Sequence, residues 1–172
     1  MLTKSDATTA FVLIAIGTNL PDQAGRSPLV VAQRAAASLS ALGGLQIVAL
    51  SRWYCSAPIP PSGQPPYING VALLSGTTDP ARLLDELQAI ERAAGRQRGA
   101  ANAARTLDLD IIDIAGMVRE APDPVLPHPR AHLRAFVLLP LADVYPDWVH
   151  PVLRTSVAAL IAGLPAQQIC AI

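Results

Sequence analysis

Apolar and polar positions fall into short blocks whose period changes along the chain. Residues 11–16, Phe-Val-Leu-Ile-Ala-Ile, are a continuous apolar run that ends in Gly17-Thr18-Asn19-Leu20-Pro21-Asp22, the pattern of a buried strand followed by a turn. Ser27-Pro28 then supplies an N-cap and a proline at the first helical position. Val31, Ala35, Leu39 and Leu42 recur on one helical face until Gly43-Gly44 ends it. Residues 45–54 and 67–75 read as two further strands. The segment between them holds five prolines, Pro58, Pro60, Pro61, Pro65 and Pro66. It is too stiff to pair as a central strand and too long for a tight hairpin, and loops of that kind often carry function.

Asp79-Pro80 opens a second helix, striped by Leu83, Leu84, Leu87 and Ile90 and closed by Gly95. Gln88 and Glu91, three apart, share a face beside that stripe. Residues 96–104 have no apolar period and read as a mobile loop. A strand follows to about residue 115, with a turn at Gly116, and then a proline-stiffened loop over 122–130. Residues 135–141 are apolar and include Phe136, and residues 156–163 read as a terminal helix. The order strand, helix, strand, strand, helix, strand predicts a ferredoxin-like α+β fold: a mainly antiparallel sheet with two helices on one face and extra C-terminal elements. One domain over 10–172 is expected, with residues 1–9 a flexible N-terminus.

Composition narrows the class. Of 172 residues 51% are hydrophobic and 15% charged, enough for a full core. Thirteen basic and thirteen acidic residues cancel. Such a chain lacks the basic surface that nucleic-acid binding needs. Cys55 and Cys170 lie far apart in sequence with no metal-ligand spacing, so neither a redox pair nor a structural zinc site is expected. The apolar run near the N-terminus is too short to span a membrane. The expectation is a soluble, cytoplasmic monomer that binds neither nucleic acid nor membrane.

The chemistry concentrates in Arg105-Thr106-Leu107-Asp108-Leu109-Asp110-Ile111-Ile112. On a strand Asp108 and Asp110 point to one face, where like charges repel. A divalent cation between them relieves this, and magnesium is typically held by one or two carboxylates plus substrate phosphates. The plainer reading is a solvated strand end paired with Arg105 or another arginine. Leu107, Leu109 and Ile111 take the opposite face, and simple alternation puts Asp113 there too. Arg96, Arg98, Arg105 and Arg134 could clamp phosphate or simply be solvated. No P-loop or G-x-G-x-x-G is present, so any nucleotide site uses another scaffold. Tyr67 and Phe136 are core residues or, facing each other across a cleft, a stack for a flat heterocycle.

In this order the segments resemble the 6-hydroxymethyl-7,8-dihydropterin pyrophosphokinase family. The resemblance rests on Ala15-Ile16-Gly17-Thr18-Asn19-Leu20, Gln64-Pro65-Pro66-Tyr67-Ile68-Asn69, Gln88-Ala89-Ile90-Glu91 and Gly95-Arg96-Gln97-Arg98. It continues through Arg105 to Ile111, then Leu126-Pro127-His128-Pro129-Arg130 and Arg134-Ala135-Phe136-Val137-Leu138, over about residues 11–145. It implies transfer of pyrophosphate from ATP to the pterin hydroxymethyl group, giving AMP, in folate biosynthesis. By the same resemblance Asp108 and Asp110 hold two Mg2+ ions and, with Arg96 and Arg105, form the catalytic set. Gln88, Glu91, Arg96, Arg98, Ile111, His128 and Arg134 would line the ATP site. Ser56, Ala57, Pro58, Ile59, Tyr67, Asn69 and Phe136 would hold the pterin, with Tyr67 and Phe136 on its two faces. The chain departs from the family at Ala101-Asn102-Ala103-Ala104, where Arg-Trp-Gly-Pro is usual, and the resemblance then implies an active enzyme whose loop closes less tightly. The alternatives are a non-catalytic ferredoxin-like module that binds pterin or nucleotide, and a metal-dependent nucleotidyltransferase.

Overall fold

A computed structural model describes residues 10–96 and 104–172. The predicted N-terminal tail at 1–9, and all of the predicted loop from 97 to 103, lie outside the described residues. The strands are β1 (Phe11–Thr18), β2 (Leu45–Leu50), β3 (Tyr54–Ser56), β4 (Tyr67–Gly76), β5 (Asp108–Ile114) and β6 (Ile169–Ala171). The helices are α1 (Pro28–Ser38), α2 (Pro80–Ala93), α3 (Ala135–Val144) and α4 (Val157–Ala162). All described pairings are antiparallel, in the order β5-β1-β4-β3-β6, with β2 also on β4. This is the expected mainly antiparallel α+β sheet with helices packed on it.

Each face has its own core. Val12, Ile14 and Ile16 of β1 pack with Val31, Leu39, Leu83 and Leu87 of the α1 and α2 layer. Leu13 and Val71 on the other face pack with Val137, Leu138 and Leu141 of α3, Trp148, and Val157 of α4. Alternation along the strands divides the two sets. The α2 start is capped by Asp79, whose carboxylate accepts from the Arg82 amide at 2.9 Å. Ser27 holds the N-cap of α1 without a side-chain cap bond, so there Pro28 acts alone.

The strand expected over 45–54 is broken at 51–53. Leu50 pairs with Ala72 and Tyr54 with Asn69, so one strand carries an extra residue, a bulge. Ser51 sustains the ladder across it. Its amide donates to the Val71 carbonyl and its Oγ accepts from the Val71 amide, both at 2.9 Å. The Trp53 indole packs against Gly70, where an added Cβ would come within 2.6 Å of it.

One expectation is corrected. Asp113 does not share a face with Leu109 and Ile111. A register shift between Leu13 and Ile14 makes Leu13 oppose Asp113 and Ile14 oppose Ile111. The irregularity turns Asp113 to the face of Leu13, where its carboxylate accepts from Trp148 Nε1 at 2.8 Å. The cysteines, far apart in sequence, become register partners: Cys55 of β3 faces Cys170 of β6. Sequence separation says nothing about such long-range pairing.

Candidate active site

A cleft of about 740 Å³ opens on the face of the sheet that α3 covers and wraps around β5, the edge strand, toward α2. Its floor follows from register. Ala15 faces Asp110 and Gly17 faces Asp108 on one side of β1, and Gly17 faces Asn69 on the other. Directly opposed residues share a face, so Asp108, Gly17 and Asn69 form one row across the sheet. Gly17 supplies no side chain to that row, which leaves the floor between acid and amide open.

The structure brings both acids into the cleft with most of their expected neighbours. Asp108 accepts from Arg96 Nη1 at 2.7 Å through Oδ1 and from Arg105 Nη1 at 2.5 Å through Oδ2. Arg96 also pairs with Glu91, a buried carboxylate on α2. Glu91 Oε1 in turn accepts the Leu109 amide at 2.7 Å, so it ties α2 to the exposed edge of β5. Desolvation holds the Glu91 carboxyl above its ordinary range, against the pull of the Leu109 N–H and Arg96.

Asp110 takes a different environment. Among the described residues its nearest basic partner is His128 Nε2 at 3.8 Å, beyond hydrogen-bond reach, and 40% of its side chain is open to solvent. Desolvation in the cleft and, second, the charge of Asp108 raise its carboxyl above the ordinary range. His128 is fixed by its loop: its amide donates to the Ile112 carbonyl at 2.8 Å, and its Nδ1 accepts the Arg130 amide at 3.1 Å. That bond leaves the proton on Nε2, toward Asp110. Desolvation keeps the imidazole below its ordinary range even though Asp110 opposes it. The two acids are thus unequal, one neutralised by guanidinium groups and one short of positive charge.

These donors fit a hard divalent cation. Carboxylate oxygens are its preferred ligands, and the excess negative charge at Asp110 is what such an ion would relieve. No cluster of three His, Cys, Asp or Glu side chains suited to a metal occurs among the described residues. A cation held here would draw its remaining ligands from water and substrate.

The second half of the cleft carries the aromatic and uncharged polar side chains. Tyr67 and Phe136 both line it, Tyr67 from the start of β4 and Phe136 from the first turn of α3. The Tyr67 hydroxyl donates to Gln64 Oε1 at 3.1 Å. The Arg134 guanidinium lies over the Phe136 ring, 5.4 Å from its centre. Asn69 Nδ2 donates to Ser56 Oγ at 2.9 Å. Ser56, Ala57, Pro58 and Ile59 form the adjoining wall, and Gln88 lines the α2 side.

Of the expected site residues, Arg98 lies outside the described residues, as do positions 101–103 of the divergent loop. Ile111 is not part of the lining. Its side chain is 4% exposed in the core beneath α1 and α2, because it alternates with the acids. It can serve a ligand only through its backbone.

Asn19 is a structural residue of the site that its side-chain chemistry did not announce. Buried beneath the cleft, it donates through Nδ2 to Gln64 Oε1 and to the Pro65 carbonyl, both at 3.2 Å. Its Oδ1 accepts the Arg105 amide at 2.8 Å, and its own amide donates to the Arg105 carbonyl at 3.1 Å. It thereby joins the proline loop to the segment entering β5. Its sequence signals are a place in the turn directly after β1 and in the segment Ala15–Leu20 that carries the family resemblance.

Comparison with known proteins gives the family and the fold. The model of the family described as 7,8-dihydro-6-hydroxymethylpterin-pyrophosphokinase matches residues 13–146. The chain is similar to a 2-amino-4-hydroxy-6-hydroxymethyldihydropteridine pyrophosphokinase from Pseudomonas aeruginosa, 39% identical over 92% of this chain and 94% of that one. A Haemophilus influenzae protein of the same name is 37% identical over 80% of this chain and 83% of its own length. Among solved structures, Plasmodium falciparum HPPK-DHPS superposes with a TM-score of 0.64 at 13% identity, over 92% of this chain. The chain spans 42% of that longer protein, and the likeness is one of fold.

Proposed function

The chain belongs to the 7,8-dihydro-6-hydroxymethylpterin-pyrophosphokinase family, and we propose that its cleft transfers pyrophosphate from ATP to the hydroxymethyl oxygen of the dihydropterin, supported by magnesium. AMP is the second product, and the step belongs to folate biosynthesis. The single observation that carries this reading is convergence. The acid pair, Arg96, Arg105 and Arg134 share one cleft with Tyr67, Phe136 and Asn69.

Each half has a chemical role. A primary hydroxyl is a weak nucleophile, and phosphoryl-type transfer depends on alignment and charge neutralisation more than on covalent help. The oxygen attacks the β-phosphorus, the bond from that phosphorus to the oxygen shared with the α-phosphate breaks, and the hydroxyl proton is lost. Asp108 and Asp110 would hold Mg2+, which when bound neutralises phosphate oxygens and draws charge from the reacting phosphorus. Arg96 and Arg105 already stand at Asp108 and supply fixed positive charge beside it. They are the side chains a polyphosphate would recruit.

In the other half, Tyr67 and Phe136 offer apolar faces for the pterin ring. The Asn69 Nδ2 is engaged by Ser56, so its carbonyl oxygen is the group left to accept from the ring edge. On this reading Gln88, Glu91 and His128, which line the cleft, would serve the nucleotide side.

The test is a product assay with ATP, Mg2+ and hydroxymethyl-dihydropterin. AMP and the diphosphorylated pterin are the expected products. Release of pyrophosphate would instead indicate a nucleotidyltransferase, and binding without AMP a non-catalytic module. Asp110→Ala is expected to cut AMP formation by roughly a hundredfold or more with an unchanged circular dichroism spectrum. Wild-type turnover in this variant would remove the acid from the catalytic set.

A further inference from the structure

Outside the cleft, the clearest unassigned juxtaposition is the pair Cys55 and Cys170. Both thiols are free; Cys170 is exposed and Cys55 part-buried. They oppose each other directly across β3 and β6, so their side chains take the same face. Flanking bonds define the type of pair. The Ala57 amide donates to the Gln168 carbonyl at 3.0 Å, and the Ile172 amide to the Trp53 carbonyl at 2.9 Å. Alternation makes Cys55–Cys170 a hydrogen-bonded pair, with Cα atoms about 5.5 Å apart, near the commonest disulfide span. Cβ atoms in hydrogen-bonded pairs lie toward the wide end of about 4.5–5.5 Å, against roughly 3.5–4.5 Å in a disulfide. Bond formation therefore needs a closing movement of about 1–2 Å. β6 is suited to it, being three residues long and paired among the described strands with β3 alone.

We propose that Cys55 and Cys170 are a reversible oxidation site, which a peroxide converts to a cross-strand disulfide stapling β6 to β3. Cys170, the more exposed thiol, attacks one peroxide oxygen as thiolate; the O–O bond breaks, giving a sulfenic acid and hydroxide, which takes up the proton the thiol released and becomes water. Cys55 then attacks that sulfur. The S–S bond forms, hydroxide leaves, and with the thiol proton it becomes a second water. Two thiols lose two electrons and the peroxide gains them. Tyr54 and Ser56 take the opposite face, and Ser56 lines the cleft. The staple therefore fastens the back of one cleft wall. A cross-strand bond closed against the resting Cβ separation is a strained one, open to reduction by dithiols.

The test is peptide mapping of the full-length protein after hydrogen peroxide treatment, read by mass and thiol count, so it does not depend on what the cleft catalyses. Expected is loss of both free thiols, a Cys55–Cys170 cross-linked peptide in monomeric protein, and full return of thiols with dithiothreitol. The oxidised protein should unfold several degrees higher, a shift lost in Cys170→Ser. A Cys170–Cys170 dimer would overturn the proposal. So would separate over-oxidation of the two sulfurs, or survival of both thiols in excess peroxide.

Discussion

Asn19 shows how a buried amide can set a site without touching a substrate. Its side chain engages two acceptors of the proline loop and one donor of the segment that carries Arg105. Removing a buried partner of this kind leaves the other groups unsatisfied, at about 1–3 kcal/mol. Asn19→Ala is therefore expected to lower stability by that order in urea denaturation. It should also raise KM for the pterin, because Gln64 and Tyr67 lose their anchor. Asn19→Asp keeps Oδ1 but loses the donor, so it should retain the Arg105 link and release the loop. Equal kinetic effects in both variants would show that the two links are not separable. The acids were legible at this scale, since i and i+2 on a strand must share a face. The arginines that neutralise Asp108 were legible only as candidates, because nothing in sequence says which guanidinium reaches it.

Among the elements, α2 matters beyond its apolar stripe. Glu91 accepts the Leu109 amide, a donor on the edge strand, and pairs with Arg96. An edge strand must have its outward groups covered or solvated, and Glu91 covers one of them. Glu91→Ala is expected to cost roughly 3 kcal/mol, because it strands a buried N–H and leaves Arg96 with Asp108 in place of two carboxylates. Glu91→Gln keeps an acceptor for Leu109 and should cost clearly less; chemical denaturation of the pair separates the roles. Elements with strong period and punctuation, such as α2 between Asp79-Pro80 and Gly95, were readable from residues alone. The break at 51–53 was not, because a bulge depends on partner register and on Ser51 replacing a main-chain acceptor. β6 was not readable either: Ile-Cys-Ala is too short to carry a period, and its strand character comes from pairing with β3. The turn of Asp113 away from simple alternation has the same origin, a register shift set by β1.

Across the whole molecule, Asp113 joins the sheet to the layer formed by α3, α4 and Trp148. It is fully buried, accepting from Trp148 Nε1 at 2.8 Å and from the Gly116 amide at 2.9 Å. Desolvation raises its carboxyl above the ordinary range, and these bonds only partly offset that. The sign follows from linkage. A carboxyl with a raised folded-state pKa takes up a proton on folding, so its contribution is fully present below the unfolded value and is lost as pH rises through the folded one. Asp113→Asn removes this titration and leaves an oxygen to accept from Trp148. The difference in urea midpoint between wild type and variant should therefore change with pH, moving in favour of the variant from about pH 4 toward neutrality. A pH-independent difference would mean that Asp113 ionises in the folded protein as it does in the unfolded chain. The C-terminal layer is then held by apolar packing around Trp148 together with ionisable links that include Asp113 to Trp148 and Asp143 of α3 to Arg52 and Tyr54. That layer also positions Phe136 and Arg134 over the cleft, so loss of the Asp113–Trp148 link should raise KM for both the pterin and ATP in steady-state assays.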